Sequence, residues 1–218
     1  MSLSNIFILL KKEWITEIRK KSTLASVLLF SIVMVFISYK SFNRLEGLQW
    51  SVLYWLLIIF SGVNAIMKSF VQESSDTRIY YYTIVNPFEL LVAKFIYNYI
   101  FVLILSLLIL GGFIFFFGHP IKDWSLFLAC VSLGLMGITS VFTFISLLSS
   151  SGGSTSTLMS VLAFPLIIPS LLLIIKISAV ATRQLADSSI NNDMLLLVGV
   201  NCLLIGMTIL LFEELWRE

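Results

Sequence analysis

Apolar residues run along this chain in long blocks, broken by short clusters of charge, Gly, Pro or Ser. Crossing a bilayer takes about 20 residues, because the hydrocarbon is about 30 Å thick and a helix rises about 1.5 Å per residue. Six blocks qualify: Leu24 to Tyr39, Trp50 to Met67, Phe95 to Phe117, Trp124 to Leu148, Thr157 to Ile177 and Met194 to Phe212. Backbone N–H groups in lipid must be bonded within their own segment, so each block is expected to be a helix. The pattern predicts an all-α integral membrane fold with six transmembrane helices, a single domain over residues 1–218 without internal repeats. The first block is short enough to be a signal-peptide core. About twenty residues precede it and no Ala-x-Ala-like site follows, so it is expected to be a retained membrane helix.

The segment before that block, residues 1–21, has a helical period of its own. Leu3, Phe7, Leu10, Trp14 and Ile18 share one stripe, while Lys11, Lys12, Thr16, Arg19 and Lys20 lie off it. A basic leader that only fixes topology needs no such stripe. The pattern therefore favours an amphipathic interface helix along anionic membrane lipid, with Glu17 able to pair with Lys21 one turn on.

Cations near the helix ends set the orientation, since Lys and Arg stay on the cytoplasmic side. With both termini inside, Lys11, Lys12, Arg19, Lys20, Lys21, Lys68, Arg78, Lys94 and Arg217 are cytoplasmic, and Lys40, Arg44, Lys122, Lys176 and Arg183 are outside. The N-in, C-in arrangement makes residues 68–94 the longest inner connection. It holds Glu73, Asp76, Arg78, Tyr80, Tyr81, Tyr82 and then Asn86-Pro87. Asn86 can cap a helix with Pro87 in its first position and Glu89 three residues after the cap, so the third span is expected to begin in the cytoplasm. The stretch from Glu73 to Val85 is then expected to form a separate short coupling helix. Its acids, its arginine and its tyrosines suit docking to a soluble protein; the same tyrosines also fit an interfacial aromatic belt.

Pro165 and Pro169 fall inside the fifth span, where each removes a backbone donor, so a kink or a break is expected. Such backbone at membrane depth belongs against protein or a wet cavity, inside the bundle or at a subunit contact. Just before it, the low-complexity run Ser149 to Thr157 reads as an uncharged inner turn.

Composition supports the bilayer as solvent: 59% of the residues are hydrophobic and 12% charged, against about 25% charged in an ordinary soluble domain. Mean hydropathy is +1.02. A net charge of +2 is too small for a nucleic-acid surface. Cys130 and Cys202 both lie in apolar runs and offer no metal-ligand spacing. Phosphate-loop, zinc-protease and serine-hydrolase motifs are lacking, so no catalytic residue and no bound metal or cofactor is expected. The span centres carry no ionisable residue, which argues against ion coupling. Helix-to-helix hydrogen bonding accounts for Asn64, Asn98 and Asn201. His119, the single histidine, stands beside Pro120 in an outer loop, where a lone histidine is usually solvated, and a haem- or metal-ligand role is the lesser reading.

With these residues in view, the chain resembles the haem exporter protein B family, CcmB, over almost its whole length. The likeness rests on Gln72-Glu73 through Asp76, Asn86-Pro87 and Leu91-Val92-Ala93-Lys94, and on Gly152-Gly153 followed by Leu162 to Pro169. That last string is similar to the family's leucine-proline-leucine-x-isoleucine-proline signature. The chain departs from the family in lacking the acidic-loop glycine, in Asn86 for serine and in tyrosines where leucines are usual. The resemblance implies an ABC-2-type permease subunit of the cytochrome c maturation system in the bacterial inner membrane. It implies as partners a cytoplasmic ATPase that hydrolyses ATP, a second permease copy, a haem-handling membrane subunit and a periplasmic haem chaperone. Haem itself would be the substrate. Two other readings stay open: a non-transporting scaffold that transmits the ATPase stroke, and an ABC-2 permease for lipid or polysaccharide.

Overall fold

The computed structural model describes the backbone over residues 3–19, 21–42, 45–71, 86–151, 156–185 and 189–217. Regular structure among them is helical: α1 (Leu3–Arg19), α2 (Lys21–Ser41), α3 (Gly47–Val71), α4 (Pro87–Phe117), α5 (Trp124–Ser151), α6 (Ser156–Ala181) and α7 (Ile190–Arg217). Helices stand where the apolar blocks predict them. Among the described residues, four helices contain segments long and apolar enough to cross a membrane, Gly47–Ile66, Phe88–Phe117, Trp124–Ser146 and Ile190–Leu210, and α2 and α6 supply the shorter apolar segments Ala25–Ser41 and Pro165–Ala181.

The bundle is built around α5, which packs on α3, α4, α6 and α7. Its apolar window is 67% buried, against 22% for that of α7. Two glycines permit this central position. A Cβ on Gly134 would stand 2.8 Å from Trp55 and 2.9 Å from Ile174, and one on Gly137 would run into Asn201. Small residues at such points let backbones approach where lipid supplies no hydrophobic drive between helices. Polar side chains complete the contacts: Asn98 Nδ2 donates to Thr143 Oγ1 at 3.0 Å and Asn201 Nδ2 to the Leu133 carbonyl at 2.8 Å. Asn64 departs from the expectation, because it bonds the Phe60 carbonyl of its own helix.

At the end away from α1, Trp50, Tyr54, Trp55, Phe113 and Phe127 form a fully buried aromatic cluster. Trp55 Nε1 donates to Ser178 Oγ at 2.9 Å. The chain leaves α4 through Gly118, whose φ of 76° is left-handed backbone that glycine adopts without strain. The backbone N–H groups of Lys122 and Asp123 then both donate to the Ala181 carbonyl at 3.0 Å. Asp123 caps α5 by accepting from Leu126 N.

Large apolar side chains face outward from α2, α4, α6 and α7, among them Phe36, Phe115, Leu172 and Leu203. Large apolar side chains on the exterior are what a lipid solvent permits. The proline pair does not divide α6, which runs through both as one helix. Pro165 and Pro169 are exposed at the surface of the chain and do not line the bundle interior. Their rings therefore crowd nothing inside, and the contacts α6 makes with α5 and α7 hold the helix together across the lost donors.

Candidate functional site

The described residues gather buried charge where α1 crosses the first turns of α4. Asn86 is extended, with φ −66° and ψ 129°, its side chain accepts from Phe88 N, and Pro87 opens the helix. This is the cap that the sequence predicts. An acid in the first turn suits the positive end of the helix dipole, and Glu89 supplies it. Glu89 is buried and accepts a hydrogen bond from Asn5 Nδ2 of α1 at 3.0 Å.

Apolar packing backs this polar tie. Ile6 and Leu9 of α1 bury against Leu90 and Ala93 of α4. Trp14 meets Tyr97 edge-on, with ring centroids 5.5 Å apart. The lipid-facing stripe expected on α1 keeps Phe7 and Ile18 outside, and a second face turns inward. Ile6, Leu9, Glu13 and Glu17 are the positions turned into the protein, while Phe7 and Ile18 of the expected apolar face are 70% and 57% exposed. The helix has two unlike apolar surfaces, and the one that carries Ile6, Leu9 and the acids meets α4.

Four ionisable residues, Glu13, Glu17, Glu89 and Lys94, are each less than a tenth exposed here. Lys12 Nζ reaches Glu13 Oε1 at 2.9 Å. Charges removed from water need partners, and losing one partner costs far more than the pair contributes. The junction therefore acts as a polar clasp that fixes where α1 lies on α4. One turn beyond Lys94, Asn98 carries the polar contacts on to Thr143 of α5. Sequence reasoning missed Asn5, Glu13 and the joint role of Glu17 and Glu89. The available signal was Glu13 and Glu17 at i,i+4 on a helix otherwise rich in cations.

Of the expected docking residues, Asn86 and Pro87 sit at the edge of this clasp. Glu73, Asp76, Arg78, Tyr80, Tyr81 and Tyr82 lie outside the described residues, as do Gly152 and Gly153. His119 is at the opposite end of the bundle, exposed, with its ring 6.2 Å from that of Trp124. Among the described residues no three His, Cys, Asp or Glu side chains are grouped to hold a metal. Cys130 and Cys202 are free thiols.

The family model for the CcmB protein matches residues 4–212, nearly the whole chain. The chain belongs to the CcmB family. Comparison with curated proteins gives no match, and comparison with solved structures gives none. CcmB membership makes the chain a multi-pass permease component of the haem-export class that serves cytochrome c maturation, a transport part and not a catalytic enzyme. The CcmB match includes both helices of the clasp, apart from the first residue of α1.

Proposed function

We propose that this chain is the six-span permease half of an ABC-2-type complex, with both termini on the cytoplasmic side of the bacterial inner membrane. A separate ATPase would grip the connection between α3 and α4 through Glu73, Asp76, Arg78 and the tyrosines Tyr80 to Tyr82. The observation that carries this reading is the clasp. The connection ends on a capped helix start, and Asn5 holds that start to α1 through Glu89. A push delivered just before Asn86 thus meets a braced helix, and α4 passes it to α5 through packed side chains.

Two further features support the architecture. The outer surface of α1, with Phe7, Ile8, Ile15 and Ile18 beside the exposed Lys11 and Arg19, suits the headgroup layer of anionic lipid. The exposed proline pair leaves backbone carbonyls of α6 without helical donors, and such groups belong against protein, so a second permease copy would cover them.

Haem is the substrate of the complex in this reading, passed to a haem-handling membrane partner and a periplasmic chaperone, with His119 as the candidate ligand in this chain. One observation favours transmission of the stroke over passage of haem through a single copy. Around Gly134 and Gly137 the centre of the bundle is filled by Trp55, Ile174, Ser170 and Asn201. The test is Arg78→Glu with Tyr81→Ala. Loss of ATPase co-purification and of cytochrome c assembly is expected; retention of both refutes the docking assignment.

A further inference from the structure

Close to the middle of α6 and α7 lie two buried polar atoms that make no hydrogen bond. Ser170 is 1% exposed and Asn201 2%. Ser170 Oγ and Asn201 Oδ1 are both without a partner. The same two oxygens press on one point of α5. A Cβ built on Gly137 would lie 3.3 Å from Ser170 Oγ and closer still to Asn201 Oδ1. A serine hydroxyl donates and an amide oxygen accepts, so the two are complementary. They face each other across the bare α-carbon of a glycine without joining. An unmade hydrogen bond between buried groups costs about 1–3 kcal/mol for each group left unsatisfied, a cost that a second arrangement of the same helices removes.

The surroundings show which helix can supply the movement. Asn201 is tied to α5 through Nδ2 and the Leu133 carbonyl. Ser170 directly follows Pro169, whose ring nitrogen cannot bond the Pro165 carbonyl, so α6 is weakest in its ladder just before the serine. Beyond it, α6 is pinned by Trp55 to Ser178 and by the two donors on Ala181. Closure therefore asks for a local shift of α6 at the prolines of about 1–2 Å, the usual size of a helix shift at an interface.

We propose that Ser170 and Asn201, meeting over Gly137, form a latch that is open in the conformation described here and closed by a Ser170 Oγ–H to Asn201 Oδ1 hydrogen bond in the nucleotide-bound complex. The latch rests on the functional reading above. It makes Ser170 a positioning residue for α6, with the glycine as the gap that lets both oxygens reach the meeting point.

The experiment is disulfide trapping in the complete complex. Ser170→Cys and Asn201→Cys are introduced together with Cys130→Ala and Cys202→Ser, and cross-linking is measured by mass spectrometry with and without a non-hydrolysable ATP analogue. At least about a threefold higher yield with nucleotide is expected. Equal or lower yield, in a complex that retains its ATPase, overturns the latch alone; a chain that purifies with no ATPase overturns the functional reading itself. A second measurement separates a latch from a merely structural role. Ser170→Ala is expected to leave the melting temperature of the resting chain unchanged or raised, since its hydroxyl bonds nothing there, while lowering ATP turnover by the complex at least twofold. Ser170→Ala that melts lower with turnover intact also overturns the latch.

Discussion

Gly134→Ala tests the packing of the central helix most directly. The added methyl would stand 2.8 Å from Trp55 Cη2, 2.9 Å from Ile174 Cγ2 and 3.2 Å from Trp55 Cζ3. The indole cannot simply swing away, because its Nε1 is bonded to Ser178 Oγ at 2.9 Å and its ring is fully buried beside Tyr54. Overpacking of this kind costs about 1–3 kcal/mol, and loss of the indole hydrogen bond adds about 1 kcal/mol. Alanine's better helix propensity returns about 1 kcal/mol. The net is a destabilisation of about 2 kcal/mol, or about 4–8 °C in melting temperature for a chain of this length. The assay is thermal unfolding in detergent, run beside Gly199→Ala and Gly206→Ala, where a Cβ meets nothing within 4 Å. Those controls are expected to melt at or slightly above the parent. Trp55→Phe removes two of the three close atoms, so combining it with Gly134→Ala is expected to come out at least about 1 kcal/mol better than the sum of the single changes. Gly134→Ala melting with the controls refutes the reasoning.

Other perturbations follow from individual contacts. Asn5→Ala or Glu89→Ala breaks the clasp, a charge-assisted bond of about 1.5–3 kcal/mol; limited trypsin cleavage after Lys11 and Arg19 is expected to speed up several-fold, and an unchanged rate contradicts a braced α1. Thr143→Val leaves the Asn98 amide without its acceptor and is expected to cost about 0.6 kcal/mol, at most about 1.7, read by thermal unfolding. Asp193→Asn breaks the 2.7 Å ion pair with Lys176. That lysine is 42% exposed, so a loss of less than about 1 kcal/mol is expected, and 1 M salt should erase the difference between variant and parent. Haem spectra of the purified chain should change with His119→Ala if this histidine binds haem, and identical spectra remove it as a ligand.

The helices were legible in the sequence because a span's length and apolarity are local properties. The Asn86 cap was legible for the same reason, since the cap, the proline and the acid occupy consecutive positions. The protein-facing side of α1 was not legible. The partners that receive Ile6 and Leu9, Leu90 and Ala93 of α4, lie some eighty residues away in the chain. Nor could composition reveal that Gly134 and Gly137 serve contacts while Gly199 and Gly206 face open space, because a glycine in an apolar run reads the same in either place. The prolines were expected to kink or break the span, inside the bundle or at a subunit contact; α6 runs through both unbroken with the pair on its outer face, a face that periodicity cannot choose in a helix apolar all round.

The backbone bonds from Lys122 and Asp123 to the Ala181 carbonyl use no side chain at all. They join the α4–α5 corner to the end of α6 in a way that substitutions can scarcely loosen. Together with the Trp55 anchor they tie α3 and the α4–α5 corner to the end of α6 at that extremity of the bundle. In the proposed complex this end would stay put, and a stroke delivered at the other extremity would show as swing there.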